Sequence, residues 1–295
     1  DVDAPLGTIA ACSPWRAEIL REKSGKRTET IGFGYLYAQG LVERLYGPGP
    51  ATGERRGTLA FPCHSTQVIR ARFDHADYAQ RLVSLPAEMQ PAVVCAYWKD
   101  FRDGAMEPYV AAGLRIVSCG HMFDRDFLLR LHDLSRRFRF AVSNALGSHL
   151  FLSAASGCRF AYLESSPVEF DIPDFELENC GQFRPMFRAA EAESRRLFGE
   201  VDPAGPVPDD TTEAQRAFVD RYVGTAHYRS PAELRRVIAR VRRADRFVPA
   251  RILTDTGHRV IAPPAVARRM GKPIRKLEKW GRSIRKRLPG GRRAA

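Results

Sequence analysis

The sequence predicts an α/β protein built on a doubly wound parallel sheet. Between Gly57 and Ser165, short apolar runs alternate repeatedly with helical stripes, the rhythm of strand–crossover–strand units. The runs are almost continuously apolar, as strands covered on both faces must be. Length permits such a core: 295 residues, 44% of them hydrophobic, suffice for one large domain or two modest ones.

The elements follow in order. "GTLAFP" (57–62) is a strand that ends in the polar turn "CHST", after which Tyr78, Leu82 and Leu85 recur at helical spacing up to Pro86. "AVVCAYW" (92–98) is the next strand, followed by a glycine-containing turn and a short helix in "MEPYVAAG". "LRIVSCG" (114–120) leads into "FDRDFLLRLHDLSRRF", where Phe127, Leu128, Leu131 and Leu134 form one stripe. "RFAVSN" leads into "ALGSHLFLSAASG", and "CRFAYLES" closes the series.

The flanks divide the chain further. Residues 1–56 read as a partial N-terminal α/β segment, with strands around Ile9 and Tyr35 and the loop "GPGPATGERRG" at its end. The first residue is Asp1 rather than Met, and a strand-like segment follows almost at once, so an upstream portion is expected. Residues 57–264 form the sheet domain and its helical extension, with helices near 184–198 and 211–223. A further helix lies in "SPAELRRVIARVRRA", with Ser230 as N-cap and Pro231 at the first helical position. Residues 265–295 form a basic tail.

Composition narrows the setting. The six cysteines lie far apart with no CxxC pair, and four of them sit in or beside apolar runs, where a thiol serves as a small hydrophobe. Neither a zinc site nor a disulfide framework is expected, and the reading is a reducing, cytoplasmic compartment. No signal peptide or transmembrane run is visible. Of the net charge of +13, the tail from Ala265 carries +11: twelve Lys and Arg against Glu278. The remainder is near neutral, so the basic surface belongs to the tail.

Ligands of an open parallel sheet bind beyond the carboxyl ends of its strands. The loops there deliver His64, Ser65 and Thr66; then Tyr97 to Asp100; then Gly120, His121 and Asp124; then Ser143, Asn144, Gly147, Ser148 and His149. The last group lies in "AVSNALGSHLFLSAASGC" (141–158), which holds no formally charged residue although the chain is 27% charged. It has too many hydroxyls and glycines for a membrane span. A strand, a polar turn and a helix start fit it better. Gly147 allows close approach, Ser148 caps the helix, and His149 adds a cationic donor beside first-turn N–H groups that suit phosphate. There is no GxGxxG and no GxxxxGK[ST], which excludes a dinucleotide fingerprint and a P-loop. Asp124-Arg125-Asp126 superficially matches a DxD metal motif, but Asp124 reads more simply as the acidic start of a helix. No metal and no cofactor is assigned.

"GTLAFPCHST", "YVAAGLRIVSCGHMFDRDFLLRL" and "FAVSNALGSHLFLSAASGCRFAYLE" resemble the nucleotide-sugar-binding half of GT-B-fold glycosyltransferases, in particular those of bacterial capsule and O-antigen clusters. The resemblance covers about residues 57–165. It implies a Rossmann-like donor-binding domain, with His64, Ser65, Thr66, Ser143, Asn144, Gly147, Ser148 and His149 facing the donor. Residues 1–56 are too short for a full acceptor-binding half, so this N-terminal part reads as incomplete: either an upstream portion completes it or the chain is a reduced member. The chemistry needs neutral donors for the leaving phosphate and a base for the acceptor hydroxyl; His64 and His121 are the candidates.

The tail supplies a partner. Ile274, Leu277, Trp280, Ile284 and Leu288 recur at helical spacing, with Arg275, Lys276, Lys279, Arg282, Arg285, Lys286 and Arg287 mostly filling the other face. A basic amphipathic helix with an aromatic residue suits the anionic inner face of the cell membrane, where lipid-linked acceptors are met. Nucleic acid is the rival partner of such a tail. The leading expectation is a metal-independent glycosyltransferase of surface-polysaccharide biosynthesis, peripheral at the membrane. The alternatives are a nucleotide-sugar epimerase or hydrolase of the same architecture, and a non-catalytic binding protein.

Overall fold

The computed structural model describes residues 7–66, 68–174, 184–202 and 205–244, with two short strands at 250–253 and 259–262. The chain divides into two compact units: Gly32–Tyr228, and a smaller one formed by Asp1–Ile31 with Arg229–Ala295.

The smaller unit opens with β1 (Thr8–Ala11), α1 (Pro14–Ser24) and β2 (Arg27–Thr30), a parallel pair that runs from Thr8 opposite Arg27 to Ala11 opposite Thr30. Local chemistry sets the limits of α1. The buried Ser13 Oγ accepts the Arg16 N–H at 3.3 Å, Pro14 occupies the first turn, and Gly25 ends the helix at φ 64°.

The larger unit begins with α2 (Gly34–Tyr46) and continues through β3 (Thr58–Phe61), β4 (Arg70–Arg72), α3 (His75–Val83), β5 (Ala92–Cys95), α4 (Trp98–Arg102) and α5 (Glu107–Ala111). Then come β6 (Arg115–Val117), α6 (Phe127–Ser135), β7 (Phe140–Ser143), α7 (Ser148–Ala155), β8 (Arg159–Tyr162), β9 (Glu169–Asp171), α8 (Arg184–Phe198) and α9 (Glu213–Val223). Five strands form one all-parallel sheet in the order β6-β5-β3-β7-β8. The chain winds outward from β3 to β6, then crosses back to β7 and winds the other way. This is the Rossmann-like order, and it puts a topological switch point between β3 and β7. Beyond β8, Glu200 makes a further parallel bridge with Tyr162. β4 and β9 form a separate antiparallel pair.

The period-two alternation of the strands serves two cores. Leu59, Phe61, Val93, Ala141 and Phe160 face the layer of α2, α6, α7, α8 and α9, where Tyr35, Leu131, Leu150, Phe198 and Phe218 are buried. Ala60, Val94, Phe140, Val142 and Ala161 face the layer of α3 and α5, with Tyr78, Leu82, Met89 and Tyr109. Gly57, which enters the central strand, sits at φ 70°, and a Cβ there would collide with the Pro91 carbonyl oxygen. Only glycine brings the chain this close to the start of β5.

Two expectations are corrected. Tyr35 belongs to a helix, not a strand: Tyr35, Leu36, Ala38 and Val42 are the buried stripe of α2. Its hydroxyl is hydrogen-bonded to Ser156 Oγ and lies 3.0 Å from His132 Nδ1, which fastens α2 to α6 and α7. For the same reason residues 32–56 belong to the larger unit, whereas the sequence pattern separated them at Gly57.

The helices expected near 184–198 and 211–223 are α8 and α9, the latter closed by a Thr212–Gln215 capping box. After Tyr228 the chain returns to the smaller unit as α10 (Pro231–Ala244). Ser230 Oγ accepts the Glu233 N–H at 3.3 Å, while the Glu233 carboxylate accepts the Ser230 N–H at 2.8 Å. Arg240 of α10 pairs with Glu29 of β2 at 2.8 Å. The strands β10 (Ala250–Leu253) and β11 (Arg259–Ala262) pair antiparallel. Ile274, Leu277, Trp280, Ile284, Arg285 and Lys286 lie outside the described residues.

Candidate functional site

The switch point is held shut beneath and open above. Beneath, the loops after β3 and β7 are tied by a buried hydrogen bond, in which the Cys63 N–H donates to Asn144 Oδ1 at 2.8 Å. Arg195 of α8 adds a bond to the Asn144 carbonyl oxygen at 3.3 Å and pairs with Glu164. Ser143, 0% exposed, donates from Oγ to the Ala145 carbonyl oxygen at 3.1 Å and accepts the Ala145 N–H at 3.3 Å. Asn144 is 4% exposed, and its Nδ2 is buried without a partner. Both were expected to face a donor; both instead shape the turn from inside. Their polarity is explained by backbone groups that a buried turn must satisfy.

Above them the turn opens at α7. Ser148 is not the N-cap; it is the first helical residue, and the cap is Gly147 in extended geometry, with no side-chain hydrogen bond. No capping side chain therefore claims the first-turn N–H groups. Gly147 is needed because the His149 ring folds back over it: a Cβ there would stand 2.5 Å from His149 Cε1 and 2.7 Å from Nδ1.

His149 is stacked on Phe61, with ring centroids 5.4 Å apart, and its Nε2 is 3.1 Å from the Ala145 carbonyl oxygen. A carbonyl only accepts, so Nε2 carries the proton and Nδ1 keeps its lone pair. Burial, reinforced by His64 and opposed by the Ala145 carbonyl, lowers the His149 pKa to about 4. The cationic donor expected at this position is thus a neutral ring.

A pocket of about 80 Å³ lies over the carboxyl ends of β3, β5 and β6. Its wall includes His64, Tyr97, Gly120, Phe127, Ser148 and His149. His64 is exposed, with its ring 4.4 Å from that of Tyr97 and its Nδ1 3.2 Å from the Ser65 carbonyl oxygen. The same reasoning assigns its proton to Nδ1 and leaves Nε2 as a free base. His121 is the reverse case. Its Nδ1 accepts the Phe123 N–H at 3.2 Å, which occupies that lone pair; its ring centroid is 4.8 Å from that of Trp98, and it is not among the residues that line the pocket.

Cys63 and Ser65, the chain neighbours of His64, line a second, larger depression of about 400 Å³, with Arg70, Arg72, Lys99 and Asp100. Ser65 Oγ accepts the Ala71 N–H at 3.1 Å, and Thr66 Oγ1 accepts those of Val68 and Ile69 at 3.2 and 2.9 Å. These hydroxyls set the shape of the loop. The sequence pattern placed Asp100 in a strand-end loop but gave it no role. It is 7% exposed and accepts the Ser65 N–H at 3.3 Å. Burial raises its carboxyl pKa, against the pull of the Ser65 N–H and of His64.

Asp124 precedes α6 by more than expected: the N-cap is Asp126. Asp124 Oδ1 accepts the Asp126 N–H at 2.8 Å, and its other oxygen pairs with Arg130 at 3.0 Å. Among the described residues no group of three His, Cys, Asp or Glu is placed to hold a metal ion, and no helix is long and apolar enough to cross a membrane. No protein-family model matches the chain, and no curated protein matches it significantly.

The His149 environment has a measurable consequence. Above its ordinary pKa of 6.5 the ring is neutral both folded and unfolded. As pH falls from there toward 4, the unfolded chain takes up the proton first, and folding loses up to about 3 kcal/mol on this residue's account. Urea unfolding at about pH 7 and about pH 4.5 should show wild type losing roughly 2 kcal/mol more than His149→Gln. Equal losses would contradict this environment.

Proposed function

We propose that the larger unit is the donor-binding domain of a GT-B-like glycosyltransferase. It takes a nucleotide-activated sugar and transfers the sugar, without a metal, to a surface-polysaccharide or lipid-linked acceptor. The observation that carries the reading is the N-terminus of α7, uncapped by any side chain at the switch point of a Rossmann-like sheet and open to a pocket shared with His64. The exit of the chain from the smaller unit at Ile31 and its return at Arg229 supports a two-unit enzyme, as does the parallel β1–α1–β2 element.

The chemistry follows from the groups present. The donor phosphates sit at the α7 first turn, where N–H groups and the positive end of the helix dipole are aimed outward. A pocket of about 80 Å³ holds a phosphate-sized group and leaves base and sugar toward the open loops. His64 Nε2 removes the acceptor hydroxyl proton as that oxygen bonds to the anomeric carbon. The bond from that carbon to the phosphate oxygen breaks, and the α7 N–H groups receive the developing charge. His121 cannot replace His64 in its neutral form, because its lone pair is already used. An electrically neutral lining suits this chemistry, since the leaving group brings the charge and fixed dipoles meet it.

Turnover tests the assignment. A screen of nucleotide sugars, read by product chromatography with and without a glycan acceptor, should find acceptor-dependent transfer. His64→Gln should lower kcat by about 10²–10⁴-fold while calorimetric nucleoside diphosphate affinity shifts little, and His121→Gln should have a much smaller effect. Failure of every nucleoside diphosphate to bind, or unchanged kcat in His64→Gln, would overturn the reading.

The tail is proposed to hold the enzyme at anionic membrane, on the strength of its charge and apolar spacing. Seven basic residues contribute up to about 1 kcal/mol each near the surface, and Trp280 adds a salt-resistant part by burial. The full chain should co-sediment with phosphatidylserine vesicles, partly even at high salt, and a chain ending at Pro264 should not. Equal sedimentation, or tail-dependent binding to duplex DNA alone, would contradict the membrane role.

A further inference from the structure

The depression beside the loop after β3 is the larger cavity, and the donor chemistry leaves it unused. It measures about 400 Å³, against about 80 Å³ for the pocket at α7. Clefts that take small organic molecules measure roughly 300–1,000 Å³, so the depression has room for one. The loop stands between the two cavities. Pro62 and His64 line the pocket, while Cys63 and Ser65 line the depression.

Polar groups of its wall keep hydrogen-bonding capacity that no described residue takes up. Asp100 is 7% exposed; one carboxylate oxygen accepts the Ser65 N–H at 3.3 Å, and the other has no hydrogen-bond partner among the described residues. A carboxylate buried this far is costly to leave half satisfied. Ser65 Oγ accepts the Ala71 N–H at 3.1 Å, which leaves its own proton to donate. The Arg70 guanidinium is exposed and unpaired among the described residues. Asp171 lies opposite Arg70 in the β4–β9 register, but its carboxylate pairs with Arg72 at 3.2 Å. Lys99 pairs with Asp103 at 3.1 Å. Arg70, Arg72 and Lys99 are thus offset by Asp100, Asp103 and, on Arg72, Asp171, which leaves no cation excess for a phosphate. Phe73 and His75, with ring centroids 4.0 Å apart, add apolar surface to the wall.

We propose that this depression binds one neutral, hydroxyl-rich saccharide unit. The free Asp100 oxygen accepts from a sugar hydroxyl, Arg70 and Ser65 donate to others, and the C–H face of the ring packs on Phe73 and His75. Sugar hydroxyls both donate and accept, so a wall with both kinds of group and balanced charge matches them. The binding stands on the depression alone. Its use as the acceptor subsite beside His64 rests on the transferase reading.

The experiment is titration of the ¹⁵N-labelled full chain with the methyl glycosides of glucose, galactose, mannose and N-acetylglucosamine. Glycerol serves as a polyol control and inorganic phosphate as an anion control. At least one glycoside should shift the Ser65, Ala71, Lys99 and Asp100 amides saturably and leave those of Gly147, Ser148 and His149 in place. Asp100→Asn keeps an acceptor for the Ser65 N–H but loses the charge, and it should weaken that glycoside by about tenfold or more. Arg70→Gln, at an exposed position, should weaken it by about tenfold as well and serves if the Asp100 variant folds poorly. No saturable shift at these amides with any glycoside, equal shifts with glycerol, tighter binding of phosphate, or unchanged affinity in the folded variants would each overturn the proposal. Glycoside binding here without nucleoside diphosphate binding at α7 would uphold the saccharide site and remove its acceptor role. Nucleotide binding at α7 with no glycoside bound would overturn the site and leave the transferase reading in place.

Discussion

The hydrogen bond from the Cys63 N–H to Asn144 Oδ1 is the constraint on which the site depends. β3 and β7 are neighbours in the sheet, yet the chain leaves them for opposite sides, so their loops have every reason to splay apart. A buried backbone N–H must find an acceptor, and the Asn144 carboxamide supplies it across the gap at 2.8 Å. With the two loops locked together, the turn into α7 is fixed in direction. The pocket above it then has a wall from each side of the switch point. Arg195 extends the same tie to α8 through the Asn144 carbonyl and Glu164.

The electrical neutrality of residues 141–158 follows from this geometry. β7 lies inside the sheet and is covered on both faces, and α7 buries Leu150, Leu152 and Ser153, so an unpaired charge at any of these buried positions would carry a large desolvation cost. Serine and asparagine satisfy the turn without charge. His149 completes the pattern: its ring fills space between Phe61 and Gly147, and it stays neutral because burial disfavours its cation.

Much of the fold was legible because strand alternation and helical stripes are local signals. The apolar runs ending at Pro62, Trp98, Gly120 and Asn144 mark strands of the sheet, and the loops after them do converge at its carboxyl edge. The misreadings have a common cause, which is that burial and partnership are not local. "GFGYLYAQ" has the aromatic and small residues of a strand, but Tyr35 meets Ser156 and His132 from far along the chain and folds as helix. Ser143 and Asn144 were legible as polar residues in a turn, yet whether they face outward or inward depends on Cys63, Arg195 and their own exposure. The N-cap is Gly147, one residue earlier than expected, and the His149 ring occupies the space that a side chain there would fill. The choice between His64 and His121 rests on which ring nitrogen meets a carbonyl and which meets an N–H, information that no spacing contains.

Phosphate binding at the start of α7, above the locked switch point, would be reported directly by backbone amide resonances. A ¹⁵N-labelled full chain titrated with the nucleoside diphosphate of its preferred donor should show its largest shifts at the Gly147, Ser148 and His149 amides, with smaller changes near His64. Saturating nucleotide that leaves those three amides in place while shifting others, or that shifts none at all, would contradict binding at this helix start.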